Sequence, residues 1–93
     1  MVSFIMMGIA GNEKSDDVLV KVQLDEVEGI TIDIKSKIKK IFGRHMEIAV
    51  REALSELNVE NAKVEIEDFG ALDFVIKARV KTAIKRARGN KNE

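Results

Sequence analysis

Four serines, one histidine and sixteen carboxylate side chains are the groups with which this 93-residue chain could do chemistry, and it has no cysteine. Without cysteine there is no thiol nucleophile, no disulfide framework and no zinc–thiolate site. His45 has Ile41, Phe42, Ile48 and Ala49 as its neighbours at helical spacing, and none of these is a metal ligand or an acid–base partner. It reads as a histidine at the edge of a core, forming a second narrow apolar strip with Ile41 and Ile48. Glu52, Glu56, Glu60, Glu65, Glu67 and Asp68 include no pair isolated in an apolar setting that would split two pKa values for acid–base work, so most of them read as a solvated face. Asp73 falls where a first helical turn is expected, and there a carboxylate complements the helix dipole. No catalytic residue and no metal ligand is assigned.

The serines differ in their settings. Ser3 lies in a strand-like run, Ser36 stands where a helix cap is needed, and Ser55 is inside a helical pattern. Ser15 alone lies in a polar, aperiodic stretch, Gly11-Asn12-Glu13-Lys14-Ser15-Asp16-Asp17, which reads as an exposed loop. A hydroxyl that another enzyme must reach needs such a place. By residue chemistry alone, however, Ser15 is an ordinary turn serine beside aspartates.

The elements that would position this loop follow from periodicity. Ser3–Ile9 is an apolar run of strand type. Val18, Val20, Val22 and Leu24 share one face of a second strand, with Lys21 and Gln23 on the other. Glu26–Gly29 reads as a turn, and Ile30, Ile32 and Ile34 alternate with Thr31 and Asp33 in a third strand. From Ser36 to Leu57 the spacing is helical, with a stripe of Ile38, Phe42, Met46, Ala49, Val50, Ala53 and Leu57. Val64 and Ile66 mark a fourth strand. Asp68-Phe69-Gly70 turns into a second helix from about Ala71 to Ala87, striped by Leu72, Ile76, Val80, Ala83, Ile84 and Ala87. The fold class expected is α+β: a four-stranded, mainly antiparallel sheet with two helices packed on one face, in the order βββαβα. Residues 1–87 form a single domain and residues 88–93 a polar tail.

Sixteen Lys and Arg balance sixteen Asp and Glu, so net charge gives no reason to expect a nucleic-acid or membrane partner. The longest apolar stretch is too short for a secretory or membrane segment, and the expected location is cytoplasmic. The second helix carries Lys77, Lys81, Lys85 and Arg88 mostly off its stripe, and such a face could meet phosphates or partner proteins. The absence of Tyr, Trp and an aromatic pair within a strand argues against nucleic acid. Arg79 lies about 60° from Ile76 at the margin of the stripe, where a guanidinium should be paired with a carboxylate, with carbonyls or with a partner's phosphate.

Several blocks together resemble one family. They are Ala10-Gly11, then Ser15-Asp16-Asp17, then Ile34, Ser36, Phe42-Gly43 and Asn58-Val59, and most specifically Gly70-Ala71-Leu72-Asp73 with Ala78-Arg79 and Arg86-Ala87. The chain is similar to the acyl carrier protein, or gamma subunit, of citrate lyase. That family shows Ala-Gly, three variable positions and then Ser-Gly-Asp, so its modified serine matches Ser15, while Asp16 stands where the family usually has Gly. The resemblance implies a non-catalytic carrier subunit in which Ser15 holds a 2'-(5''-phosphoribosyl)-3'-dephospho-coenzyme A group covalently. Acetyl and citryl thioesters on that group would be presented to the alpha (transferase) and beta (lyase) subunits, and a prosthetic-group transferase would attach it. A thiol supplied by the cofactor also fits a chain without cysteine. Two alternatives remain open: the acyl carrier subunit of malonate decarboxylase, or a small nucleic-acid-binding α+β domain.

Overall fold

The computed structural model describes residues 6–24 and 28–89. Its elements are β1 (Met7–Gly11), β2 (Val18–Gln23), β3 (Ile30–Lys35), α1 (Lys39–Glu56), β4 (Ala62–Asp68) and α2 (Asp73–Ala87), so the order is βββαβα as the periodicities indicate. Residues 3–5 of the expected first strand, residues 26 and 27 of the expected turn, and residues 90–93 of the expected tail lie outside the described residues.

The sheet order is β1-β2-β4-β3. β1 and β2 form an antiparallel hairpin in which Gly11 faces Leu19, and β2 pairs antiparallel with β4, Val18 facing Asp68. β3 runs parallel to β4, with Ile30 facing Ala62, Ile32 facing Val64 and Ile34 facing Ile66. The sheet is therefore mixed. A parallel neighbour needs a crossover, and α1 supplies it between β3 and β4.

The alternation in the strands sends one set of side chains into the core. Val18, Val20, Val22, Ala62, Val64 and Ile66 are buried, and Leu24, Ile30 and Ile32 pack against them. Met46, Ala49, Val50, Ala53 and Leu54 of α1, with Ile76, Val80, Ala83, Ile84 and Ala87 of α2, close the core from the helical side. Gly8 sets the distance between β1 and α2. A Cβ built on it would lie 2.0 Å from the Ala83 carbonyl oxygen and 2.5 Å from the Ala87 nitrogen, so only glycine lets the strand and helix backbones approach this closely.

The start of α1 departs from expectation. α1 begins at Lys39, and no side chain caps its first turn. The Ser36 hydroxyl instead accepts from the Ile38 N–H at 3.2 Å and donates to the Asp68 carboxylate at 2.9 Å, which ties the β3–α1 turn to the end of β4. The expected stripes also overrun the core. Ile38, Phe42 and Leu72 are exposed, and burial in α1 starts only at Met46, while Leu54 joins it. Among the described residues the first turns of α1 are left largely exposed.

Candidate functional site

Three connections meet at one end of the sheet: the β1–β2 loop, the β3–α1 turn and the β4–α2 turn. The loop is more ordered than its polar sequence suggests. The Asn12 N–H donates to the Val18 carbonyl, the Asp17 N–H to the Lys14 carbonyl, and the Asp16 N–H to the Phe69 carbonyl at 2.9 Å. The Phe69 N–H returns a bond to the Asp17 carbonyl at 3.0 Å, extending the β2–β4 pairing beyond the strands. Backbone bonds fix both ends, and the exposed tip is Glu13–Asp16.

Asp17 is the anchor of this turn. It is 8% exposed, and its carboxylate accepts from Asn12 Nδ2 at 3.0 Å and from the Val18 N–H at 2.7 Å. It also accepts from Arg79 Nε and Nη2, each at 3.2 Å, in a two-pronged ion pair. The Asn12 amide, the Val18 N–H and the Arg79 guanidinium hold its pKa down to about 2, against an ordinary value of 3.8. The partner that Arg79 required at the edge of its stripe is this carboxylate. Asp17 itself was not expected to be buried. The available signal was an aspartate directly before a one-sided strand, with an arginine elsewhere at the margin of an apolar stripe.

Asp16 has φ = 65°, in the left-handed region where glycine is most at ease and aspartate is among the tolerated residues. Asp68 also departs from expectation. It is buried rather than part of a solvated face, and it accepts from the Gly70 and Ala71 N–H groups at 3.2 and 2.9 Å as well as from Ser36. This shapes the β4–α2 turn, in which Gly70 has φ = 100°.

Ser15 sits at the exposed tip between these fixed points. Among the described residues its hydroxyl makes no hydrogen bond, and the ammonium groups of Lys14 and Lys37 make no ion pair. All three line one groove of about 600 Å³ together with Glu13, Ser36, Ile38, Asp68, Phe69 and Gly70. The hydroxyl is accessible, and the two lysines of the lining face two carboxylates there. The remaining candidates are not brought to this place. His45 is exposed and tilts against Phe42, with ring centres 6.3 Å apart. Among the described residues no group of three or more His, Cys, Asp or Glu gathers as metal ligands.

The basic face of α2 is largely engaged within the fold. Lys77 and Lys81 both pair with Glu56 of α1; their hydrogen bonds lower the Glu56 pKa, and Glu56 raises that of Lys77. Arg86 donates to the Ile9 carbonyl at 2.8 Å and Arg88 to the Leu57 carbonyl at 2.6 Å. These cations join α2 to α1 and β1 while staying partly or fully exposed. No helix among the described residues is long and apolar enough to cross a membrane.

The family described as malonate decarboxylase delta subunit (MdcD) matches residues 6–87. The chain is 43% identical over 81 residues to a citrate lyase acyl carrier protein of Fusobacterium nucleatum, covering 87% of this chain and 86% of that one. It is 46% identical over 81 residues to the corresponding protein of Haemophilus influenzae, covering 87% and 83%. Among solved structures, a homoserine kinase of Cytophaga hutchinsonii superposes with a TM-score of 0.58 at 18% identity, over 96% of this chain and 31% of the kinase. That last likeness is one of fold alone.

Proposed function

The chain belongs to the citrate lyase acyl carrier protein family, and from that membership we propose that Ser15 is the covalent attachment point of its acyl-carrying group. The chain is a non-catalytic carrier, the gamma subunit of citrate lyase. The group proposed is 2'-(5''-phosphoribosyl)-3'-dephospho-coenzyme A, joined through a phosphodiester. When bound it supplies a terminal thiol that carries acetyl and citryl thioesters between the alpha and beta subunits in the cytoplasm. The observation that carries the assignment is the exposed, unpartnered Ser15 hydroxyl beside Lys14 and Lys37.

For attachment, the Ser15 oxygen attacks an activated phosphorus of a triphosphate precursor. Pyrophosphate leaves, and the hydroxyl proton passes to a base of the transferase. The turn presents the hydroxyl outward, while the Asp17–Arg79 pair keeps the loop base in place. Asp17 is already neutralised by Arg79, while Glu13, Asp16 and Asp68 have no cationic partner; Lys14 and Lys37 offset part of that charge near the incoming phosphates. Tethering then raises the local thioester concentration at each partner site to roughly millimolar levels without dissociation.

Coexpression with a matching transferase and precursor should add the group to the wild-type chain and leave Ser15→Ala at its unmodified mass. Since Ser15 is exposed and unpartnered, that substitution should change stability by no more than about 0.5 kcal/mol. A mass gain that persists in Ser15→Ala would refute the assignment.

A further inference from the structure

We propose that the outward strip of α1 formed by Ile41, His45 and Ile48, together with Leu72 and Phe74 at the start of α2, is the surface on which a catalytic subunit of the citrate lyase complex docks. The kind of partner follows from family membership, and its placement next to the arm rests on the reading of Ser15 above. At about 100° per residue, Ile41, His45 and Ile48 fall within about 60° of one another, on the side of the helix turned away from the buried Met46, Val50 and Ala53. The helix therefore carries two apolar stripes, and the fold buries one of them. Ile41 is 73% exposed and Ile48 49%, while Leu72 and Phe74 are 64% and 70% exposed. His45, Ile48 and Phe74 line one groove, and His45, Phe42, Leu72 and Phe74 line the next. The two helices thus present one continuous apolar surface rather than scattered side chains, and the core closes without it.

Charge and position define the occupant. Lys40 and Arg44 stand along the edge of the strip remote from α2 and, among the described residues, make no ion pair, whereas the neighbouring Glu47 is paired with Arg51. The opposite edge carries the carboxylates of Glu52 and Asp73, beside a Lys77 that is already paired with Glu56. A nucleic acid or an anionic membrane drawn to the first edge would be repelled by the second. A folded protein with an apolar centre, carboxylates facing Lys40 and Arg44, and a cation facing Asp73 matches both edges and the strip between them. The groove of Leu72 and Phe74 also shares Ile38 and Gly70 with the opening that holds Ser15. A second copy of the chain seated here would cover that opening. A subunit that receives the arm, by contrast, has to come against this end of the molecule.

The test measures association of the full, unloaded chain with purified alpha and beta subunits. The double variant Ile41→Ser/Phe74→Ser should bind at least one of them about tenfold more weakly than wild type. Both positions are exposed, and the variant's amide spectrum verifies its fold. Ile9→Ser, at an equally apolar position that is 50% exposed on the open face of the sheet, should bind as wild type does. The charge reversal Lys40→Glu/Arg44→Glu leaves the apolar strip intact; it should slow association about tenfold at low salt, and the difference should shrink as ionic strength rises. Wild-type affinity of the double variant for both subunits, or equal weakening by Ile9→Ser, would overturn the docking face. Association rates unchanged by the charge reversal at low salt would overturn the acidic edge assigned to the partner. Dimers of the isolated chain that the double variant abolishes, with subunit binding intact, would overturn the proposal in favour of a second copy. Because the chain is unloaded, each of these failures leaves Ser15 as the attachment point, which intact mass reads separately.

Discussion

Asp17 and Asp16 are adjacent, and their backbone and side-chain settings impose different tests. The Asp17 carboxyl titrates at about 2 in the folded protein, below its ordinary 3.8, because the Asn12 amide, the Val18 N–H and Arg79 all favour its charged form. A depressed folded-state pKa means that the unfolded chain binds the proton first. The stabilisation is therefore complete above about pH 4 and is lost as the pH falls through the interval from 3.8 to about 2. Denaturant melts of wild type and Asp17→Asn between pH 6 and pH 2 should show the wild-type advantage shrinking over that interval; an advantage independent of pH would contradict the ion pair. Asp16 has left-handed backbone geometry at an exposed position. Asp16→Gly should stabilise the chain by about 0.5–1 kcal/mol, and the β-branched Asp16→Val should destabilise it by about 1–2 kcal/mol, both read from urea midpoints. This geometry gives a physical reason for glycine at this position in the family pattern. The need of Arg79 for a partner was legible from its place on the helix. Which carboxylate would meet it was not, because the two groups are 62 residues apart and only the strand order brings them together.

At the scale of elements, α2 is held to β1 by the absence of a side chain at Gly8. Gly8→Ala should cost about 3 kcal/mol, since the added carbon meets helix backbone rather than a side chain that can turn away. A loss below about 0.5 kcal/mol in urea melts would show that α2 can shift freely. The strands were legible because alternation over Val18–Leu24 and Ile30–Ile34 specifies which side faces the core. The parallel pairing of β3 with β4 was legible in principle as well, since a long helix between two strands needs a crossover. What periodicity could not convey is how far each stripe is covered. An apolar stripe identifies residues able to face a core, whereas their burial depends on the length and offset of the neighbouring element. α1 has 18 residues and α2 has 15, and Ile38 and Phe42 overhang. Lys77 and Lys81 illustrate the converse case. They read as a free basic face, and the fold places Glu56 of α1 between them.

At the scale of the whole molecule, a two-layer body presents one end at which three connections converge, and that end bears Ser15. The bonds of Asp16, Asp17 and Asp68 anchor both ends of the turn around an exposed hydroxyl. Balanced charge and internally paired cations suit a subunit that joins a larger complex by specific contacts. The measurement that tests this account most directly is the intact mass of the chain purified from its native host together with the alpha and beta subunits, followed by peptide mapping. The account predicts a mass gain equal to one phosphoribosyl dephospho-coenzyme A group, confined to the tryptic peptide that ends at Lys21 and localised to Ser15 by fragmentation. An unmodified Ser15 in active complex, or the group found on any other residue, would contradict it.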